Sequence, residues 1–222
     1  MIMQRKITMA DKVDMDRLMP ALERSANLRR IKSTMLSMAS ANQPGIREWF
    51  VLHTMTGGEK TVESALKAQH VHTYLPTVEG GKMVIRHRVV NRGSRPALPG
   101  YILVSVVPSS AAFSGLRCVD GVIGLVGGSE KPHKINDADV IRFKALLGQL
   151  EGSSVHSEKF AKGDMVRFEE GPFIGYSGRI AKIRKLSLRR GEAPVGVEAI
   201  VELRLADVEH SITTPLALLE KL

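Results

Sequence analysis

A single cysteine, Cys118, stands in 222 residues. One thiol excludes an internal disulfide framework and any zinc cluster built on cysteines, and it fits a reducing, cytoplasmic compartment. Long apolar runs are missing as well. The longest, Tyr101 to Val107, is interrupted by Ser105 and falls far short of the roughly 20 residues that cross a bilayer, so no membrane partner is expected. The N-terminus carries Arg5, Lys6, Asp11 and Lys12 with no apolar core behind them, which is not a secretory signal. Aromatic residues make up only 5%, too few for a broad base-stacking platform. Reactive constellations are absent too. The seven histidines are dispersed, without H-E-x-x-H or another metal spacing. "TGGEKT" at 56–61 and "GLVGGSEK" at 124–131 lack the spacing of a phosphate loop. No catalytic residue, metal ligand or cofactor is assigned, and a binding protein rather than an enzyme is expected.

Positive charge is plentiful. The net charge is +9 and the isoelectric point is near 9.8, a balance that suits a polyanionic partner. Its distribution is uneven. Residues 1–46 hold eight Lys/Arg against four Asp/Glu, residues 47–150 thirteen against eight, and residues 151–222 eleven against eleven. The densest stretch, 82–95, places Lys82, Arg86, Arg88, Arg92 and Arg95 within fourteen residues without an acid. It reads either as a solvated hairpin or as one that faces DNA and contacts phosphates without reading bases.

The hydrophobic pattern divides the chain into four parts. Residues 1–46 form an N-terminal extension, partly helical or disordered. Leu22, Leu28, Ile31, Met35 and Met38 recur there at roughly helical spacing, and Pro20 is expected to break or restart the helix. The segment is either a docking helix or a frayed tail. Residues 47–150 read as an α+β unit of order β-α-β-β-β-α-β-α, with helices on a mostly antiparallel sheet. "REWFVLHT" is a strand covered on both faces, "KMVIRHRVV" a strand entering a turn, and "GYILVSVV" the clearest strand. "NDADVIRFKALLGQL" is a helix capped by Asn136 or Asp137, with Val140, Phe143, Leu146, Leu147 and Leu150 as its stripe. Residues 151–158 are small and polar and read as a flexible linker. Residues 159–222 alternate in short strands with turn glycines, the pattern of a small β-barrel.

Two groups of fragments resemble a known family. "REWFVLHTMTGGEK", "ALPGYILVSV" and "VDGVIGLVGG" follow the order of the N-terminal domain of NusG-family transcription elongation factors. "FAKGDMVRFEEGPFIGYSGRIAKI" looks like the SH3-like KOW barrel that follows it in that family. The resemblance covers roughly residues 47–222 and implies an N-terminal α/β sandwich followed by that barrel. It implies docking on the β′ clamp helices of bacterial RNA polymerase through His53, Leu98, Pro99, Tyr101 and Leu125. Upstream or non-template DNA would lie beside the cationic segment. Phe173 and Tyr176 of the barrel would recruit a further partner, with termination factor Rho and the ribosome as candidates. A monomer is expected. Ala97-Leu98 stands where family members often have two phenylalanines before Pro-Gly-Tyr, and the short segment before that motif looks more like the specialised RfaH type. "LRL" at 203–205 replaces an aromatic that the general factor uses for ribosome coupling. The other reading is a KOW-containing, ribosome-associated or RNA-binding protein. Glycines and prolines throughout the last domain point to a barrel in every state rather than a helical hairpin, with the two domains moving independently. Leu98 and Tyr101 are expected to face outward on a rigid edge, the alternative being ordinary core packing.

Overall fold

The computed structural model describes residues 15–78, 82–85, 88–91, 93–128, 130–149, 160–187, 194–205 and 208–222. The expected linker at 151–158 lies outside them, as do Arg86 and Arg92.

The chain opens with α1 (Met15–Ser37), which contains Pro20 instead of breaking there. The helix is docked on the body of the protein. Leu36 packs against the apolar core, Ala39 is buried, and the Ala41 N–H donates to the carbonyl of His70. A helix marginal on its own persists because its C-terminal end has a tertiary partner.

The first domain is built on β1 (Glu48–Thr54), α2 (Glu59–Ala68), β2 (His72–Tyr74), β3 (Thr77–Val78), β4 (Lys82–Ile85), β5 (Arg88–Asn91), β6 (Arg95–Pro96), β7 (Tyr101–Val106), α3 (Ser110–Arg117), β8 (Val122–Leu125), β9 (Lys134–Ile135) and α4 (Asp137–Gln149). Its main sheet runs β2-β7-β1-β8, with β9 also paired to β1, and every pairing is antiparallel. One strand expectation needs correction. "KMVIRHRVV" is two strands, β4 and β5, paired antiparallel with Ile85 opposite Arg88. β2 stops before Leu75-Pro76 and β3 follows, because proline cannot donate to a ladder. Short β6 pairs with β3, adding a second small ribbon.

β1 is covered on both faces, as its double apolar pattern requires. Phe50 and Leu52 pack with Val62 and Leu66 of α2 and with Ala112, Phe113 and Leu116 of α3. Trp49 and Val51 pack with Val140, Phe143 and Leu147 of α4. Local chemistry sets the ends of the helices. The Ser109 hydroxyl accepts from the Ala112 N–H at 3.1 Å and caps α3. Gly115 in α3 is where α1 crosses: a Cβ there would lie 2.5 Å from the backbone of Met35 and Leu36.

The last domain comprises β10 (Met165–Phe168), β11 (Ser177–Ser187), β12 (Pro194–Leu205), β13 (Val208–Pro215) and β14 (Leu219–Lys221), with a 3-10 turn at Leu216–Leu218. The strands form one antiparallel sheet in the order β13-β12-β11-β10-β14 around Val166, Phe168, Ile180, Val201, Ile212 and Leu218. This is the small all-β unit expected from the turn glycines. The expectation of independent domains is not met in this structure. One continuous apolar cluster joins Tyr101 and Phe143 of the first domain to Phe168 and Phe173 of the second.

Candidate functional site

The expected docking residues converge around one turn. Leu98-Pro99-Gly100-Tyr101 closes through the Tyr101 N–H, which donates to the Leu98 carbonyl at 3.1 Å. Proline at the second position and glycine at the third, with φ +85°, form the type II arrangement. A side chain at Gly100 would also press on Thr56 Oγ1 and the Thr54 carbonyl, 3.3 and 3.4 Å from its Cβ. The turn delivers Tyr101 to the start of β7, opposite His53 in the β1–β7 register. The two rings stack at 5.1 Å with 13° between their planes. Leu125 lies at the end of β8, opposite Leu52, so His53 and Leu125 share one end of the sheet.

A buried carboxylate holds this turn, and sequence reasoning missed it. Glu59, 3% exposed, accepts from the Gly100 N–H at 2.7 Å and from the Gly57 N–H at 2.9 Å. The "TGGEKT" fragment is therefore a brace: its glycines turn the chain, and its glutamate in the first turn of α2 fixes the Pro-Gly-Tyr corner. Glutamate directly after a Gly-Gly turn was the available signal; its partner is 41 residues away.

Leu98 and Tyr101 do not face solvent. They are 0% and 2% exposed, and Leu125 is 7% exposed. Much of the cover comes from the barrel. Phe173 sets its ring edge-on to Tyr101, with centroids 5.3 Å apart. His210 of β13 approaches His53 at 5.9 Å. Leu205, Val208 and His210 complete a cleft of about 240 Å³ with His53, Ile123 and Leu125. Phe173 and Tyr176, expected to meet an outside partner, are here engaged with the first domain. His133, another residue the sequence did not single out, is the hinge of that contact. Its Nε2–H donates to the Pro172 carbonyl at 2.7 Å, and its Nδ1 accepts from the Tyr176 hydroxyl at 3.3 Å. A carbonyl only accepts, so of the two neutral tautomers this pairing selects Nε2–H. Gly171 lets the chain lie against the Phe143 ring, 3.2 Å from where its Cβ would be.

One ion pair crosses the same boundary. Arg95 of β6 binds Glu198 of β12, whose side chain is only 8% exposed against 35% for the arginine. Arg95 is thus held by the barrel, while Lys82 and Arg88 sit on the β4–β5 hairpin. The electrostatics follow from the burial. Tyr101 is pushed up to about 12 by loss of solvent. Burial lowers His53, His133 and His210. The positive charge of His210 lowers His53 further, and the Pro172 hydrogen bond partly offsets the effect at His133. Among the described residues, no group of three or more His, Cys, Asp or Glu side chains could hold a metal ion.

Comparison with known proteins supplies the family. The model described as "Transcription termination factor nusG" matches residues 47–144. The transcription termination/antitermination protein NusG of Escherichia coli K12 is 29% identical over 176 residues, spanning 74% of this chain and 97% of that protein. Residues 47–144 form a domain of the NusG family. The NusG of Treponema pallidum is 28% identical over 189 residues, with 73% of this chain and 98% of the relative covered. A solved structure of a domain interaction in Thermotoga maritima NusG overlaps with a TM-score of 0.38 at 22% identity, covering 79% of this chain and 97% of that one. The fold rests on the strand pairings above and not on that overlap. This family consists of transcription termination/antitermination factors, not enzymes. The family match begins at Arg47, so α1 stands outside it. No helix among the described residues is long and apolar enough to cross a membrane.

Proposed function

We propose that this chain acts as a NusG-like factor on bacterial RNA polymerase, docking on the β′ clamp helices through His53, Leu98, Pro99, Tyr101 and Leu125. The observation that carries the reading is the Pro99-Gly100 turn, braced by Glu59, which presents Tyr101 stacked on His53. Such a pre-shaped aromatic anchor suits an interface because little freedom is lost on binding. The barrel and the polymerase then compete for one surface. With Phe173 on Tyr101 the chain is closed, and docking requires the barrel to swing away. The same swing frees Phe173 and Tyr176 to recruit a second partner, with Rho and the ribosome as candidates. It also frees Arg95, which with Lys82, Arg86, Arg88 and Arg92 faces upstream or non-template DNA.

The test is binding of the full chain to core RNA polymerase. Tyr101→Ala removes an anchor of the kind that typically contributes about 2 kcal/mol or more at an interface. It also removes a contact that holds the domains closed. Phe173→Ala removes the closing contact alone. Phe173→Ala is expected to tighten polymerase binding, and adding Tyr101→Ala to it is expected to weaken binding about tenfold or more. Equal binding by the single and double variants would refute the docking surface.

A further inference from the structure

The extension before residue 47 carries a surface that the family match does not reach. Along α1 and the turn that follows it, Leu28, Ile31, Met35 and Met38 follow one another at intervals of three, four and three residues, the a/d rhythm of a helix that pairs with another helix. Leu28 is 57% exposed, Ile31 52% and Met38 43%. The helix is nevertheless fixed in place. Leu36, on a different side, packs into the core, and the backbone of Met35 and Leu36 lies against Gly115. Met35 is half-buried where the helix meets the body, and Leu28, Ile31 and Met38 are held outward by a packed helix rather than left on a loose tail.

Its surroundings are basic. Arg24 continues the stripe at one end and Lys32 flanks it. Arg29 and Arg30 lie on the same exposed stretch, and Glu23 is the only acid between Met19 and Ile46. The Arg24 and Arg29 side chains donate to backbone carbonyls of their own helix, and no ion pair is found for these cations among the described residues. A second copy of the chain would bring the same cations against them, so self-pairing is opposed by like charge. Nucleic acid would use the cations but leave the apolar seam wet. An acidic helix with an apolar face satisfies both.

We propose that α1 docks an acidic amphipathic helix of another protein, its apolar face on Leu28, Ile31 and Met38 and its carboxylates beside Arg24 and Lys32. Such helix-on-helix recognition reads anchors spaced three and four residues apart.

The test titrates the full chain into a fluorescein-labelled synthetic peptide with leucine at its a and d positions and glutamate at e and g. Saturable binding is expected. It should weaken about tenfold or more in Leu28→Ser/Ile31→Ser. Arg24→Glu/Lys32→Glu should weaken it as well, and a peptide with lysine at e and g should restore binding to that variant. These positions are exposed, so the melting temperature should not change, and the charge-swap rescue distinguishes lost contact from a lost helix. No binding, equal binding by both variants, or absence of rescue overturns the proposal. So does a dimer in sedimentation that Leu28→Ser/Ile31→Ser abolishes, which would make a second copy the occupant. Duplex DNA or phosphatidylglycerol vesicles binding α1 while the peptide does not would overturn it equally.

Discussion

Replacing Arg95 by alanine should open the protein. The Glu198 carboxylate, 8% exposed, would stay beneath the first domain with its charge partner gone. Removing one partner of a fully buried pair costs about 3–5 kcal/mol, whereas exposed pairs contribute below about 1 kcal/mol. Arg95 itself is 35% exposed, so water screens the pair in part and a cost of about 1–3 kcal/mol is expected. The cost falls on the closed state, because Glu198 regains water when the barrel leaves. The closed-to-open ratio should therefore fall roughly 5–150-fold. The two halves of the pair are unequal. Glu198→Gln leaves an arginine that water can reach, so it should open the protein less than Arg95→Ala does. Small-angle scattering reads the outcome as an increase in radius of gyration and maximum dimension, with circular dichroism confirming that both domains keep their strands. Identical scattering from wild type and Arg95→Ala would refute the reasoning, as would greater opening in Glu198→Gln.

Acidification should open the same boundary. His53, His133 and His210 are held below the ordinary imidazole value of about 6.5 by burial in the closed state. Closure is therefore fully favoured above that value and weakens as pH falls through it, because the open state binds the protons more readily. Scattering across that pH range checks this, and His133→Gln should flatten the response. Glu59→Ala should destabilise the first domain by about 1.5–3 kcal/mol, the range for hydrogen bonds to charged groups. Urea unfolding followed by Trp49 fluorescence measures it, and an unchanged midpoint would mean that the Pro-Gly-Tyr corner stands without its brace.

Chemistry acting over a few residues was legible before any coordinates. Pro99 and Gly100 mark a tight or left-handed turn because one fixes φ and the other accepts a positive φ. The α4 stripe shows its buried side in Val140, Phe143 and Leu147. The strands paired by hairpins were less legible. "KMVIRHRVV" has no glycine or asparagine to mark its turn, so two strands read as one. Pro20 also misled, since a local helix penalty is offset here by docking of the helix's far end.

The sequence alone determined the two fold units, the family resemblance, the cationic segment and the corner that carries Tyr101. The near-continuous apolar run of β7 left Tyr101 open between an outward docking edge and ordinary core packing, and such a run does not name the cover. Only the tertiary structure decided that Phe173 of the barrel supplies it, that Glu59 braces Gly100 across 41 residues, and that Arg95 meets Glu198 across 103. Turns, caps and stripes depend on neighbours a few bonds away, which every stretch of sequence displays. Contacts between distant segments depend on the path of the whole chain, and a buried charge or ring reveals its role only when that path brings its partner to it.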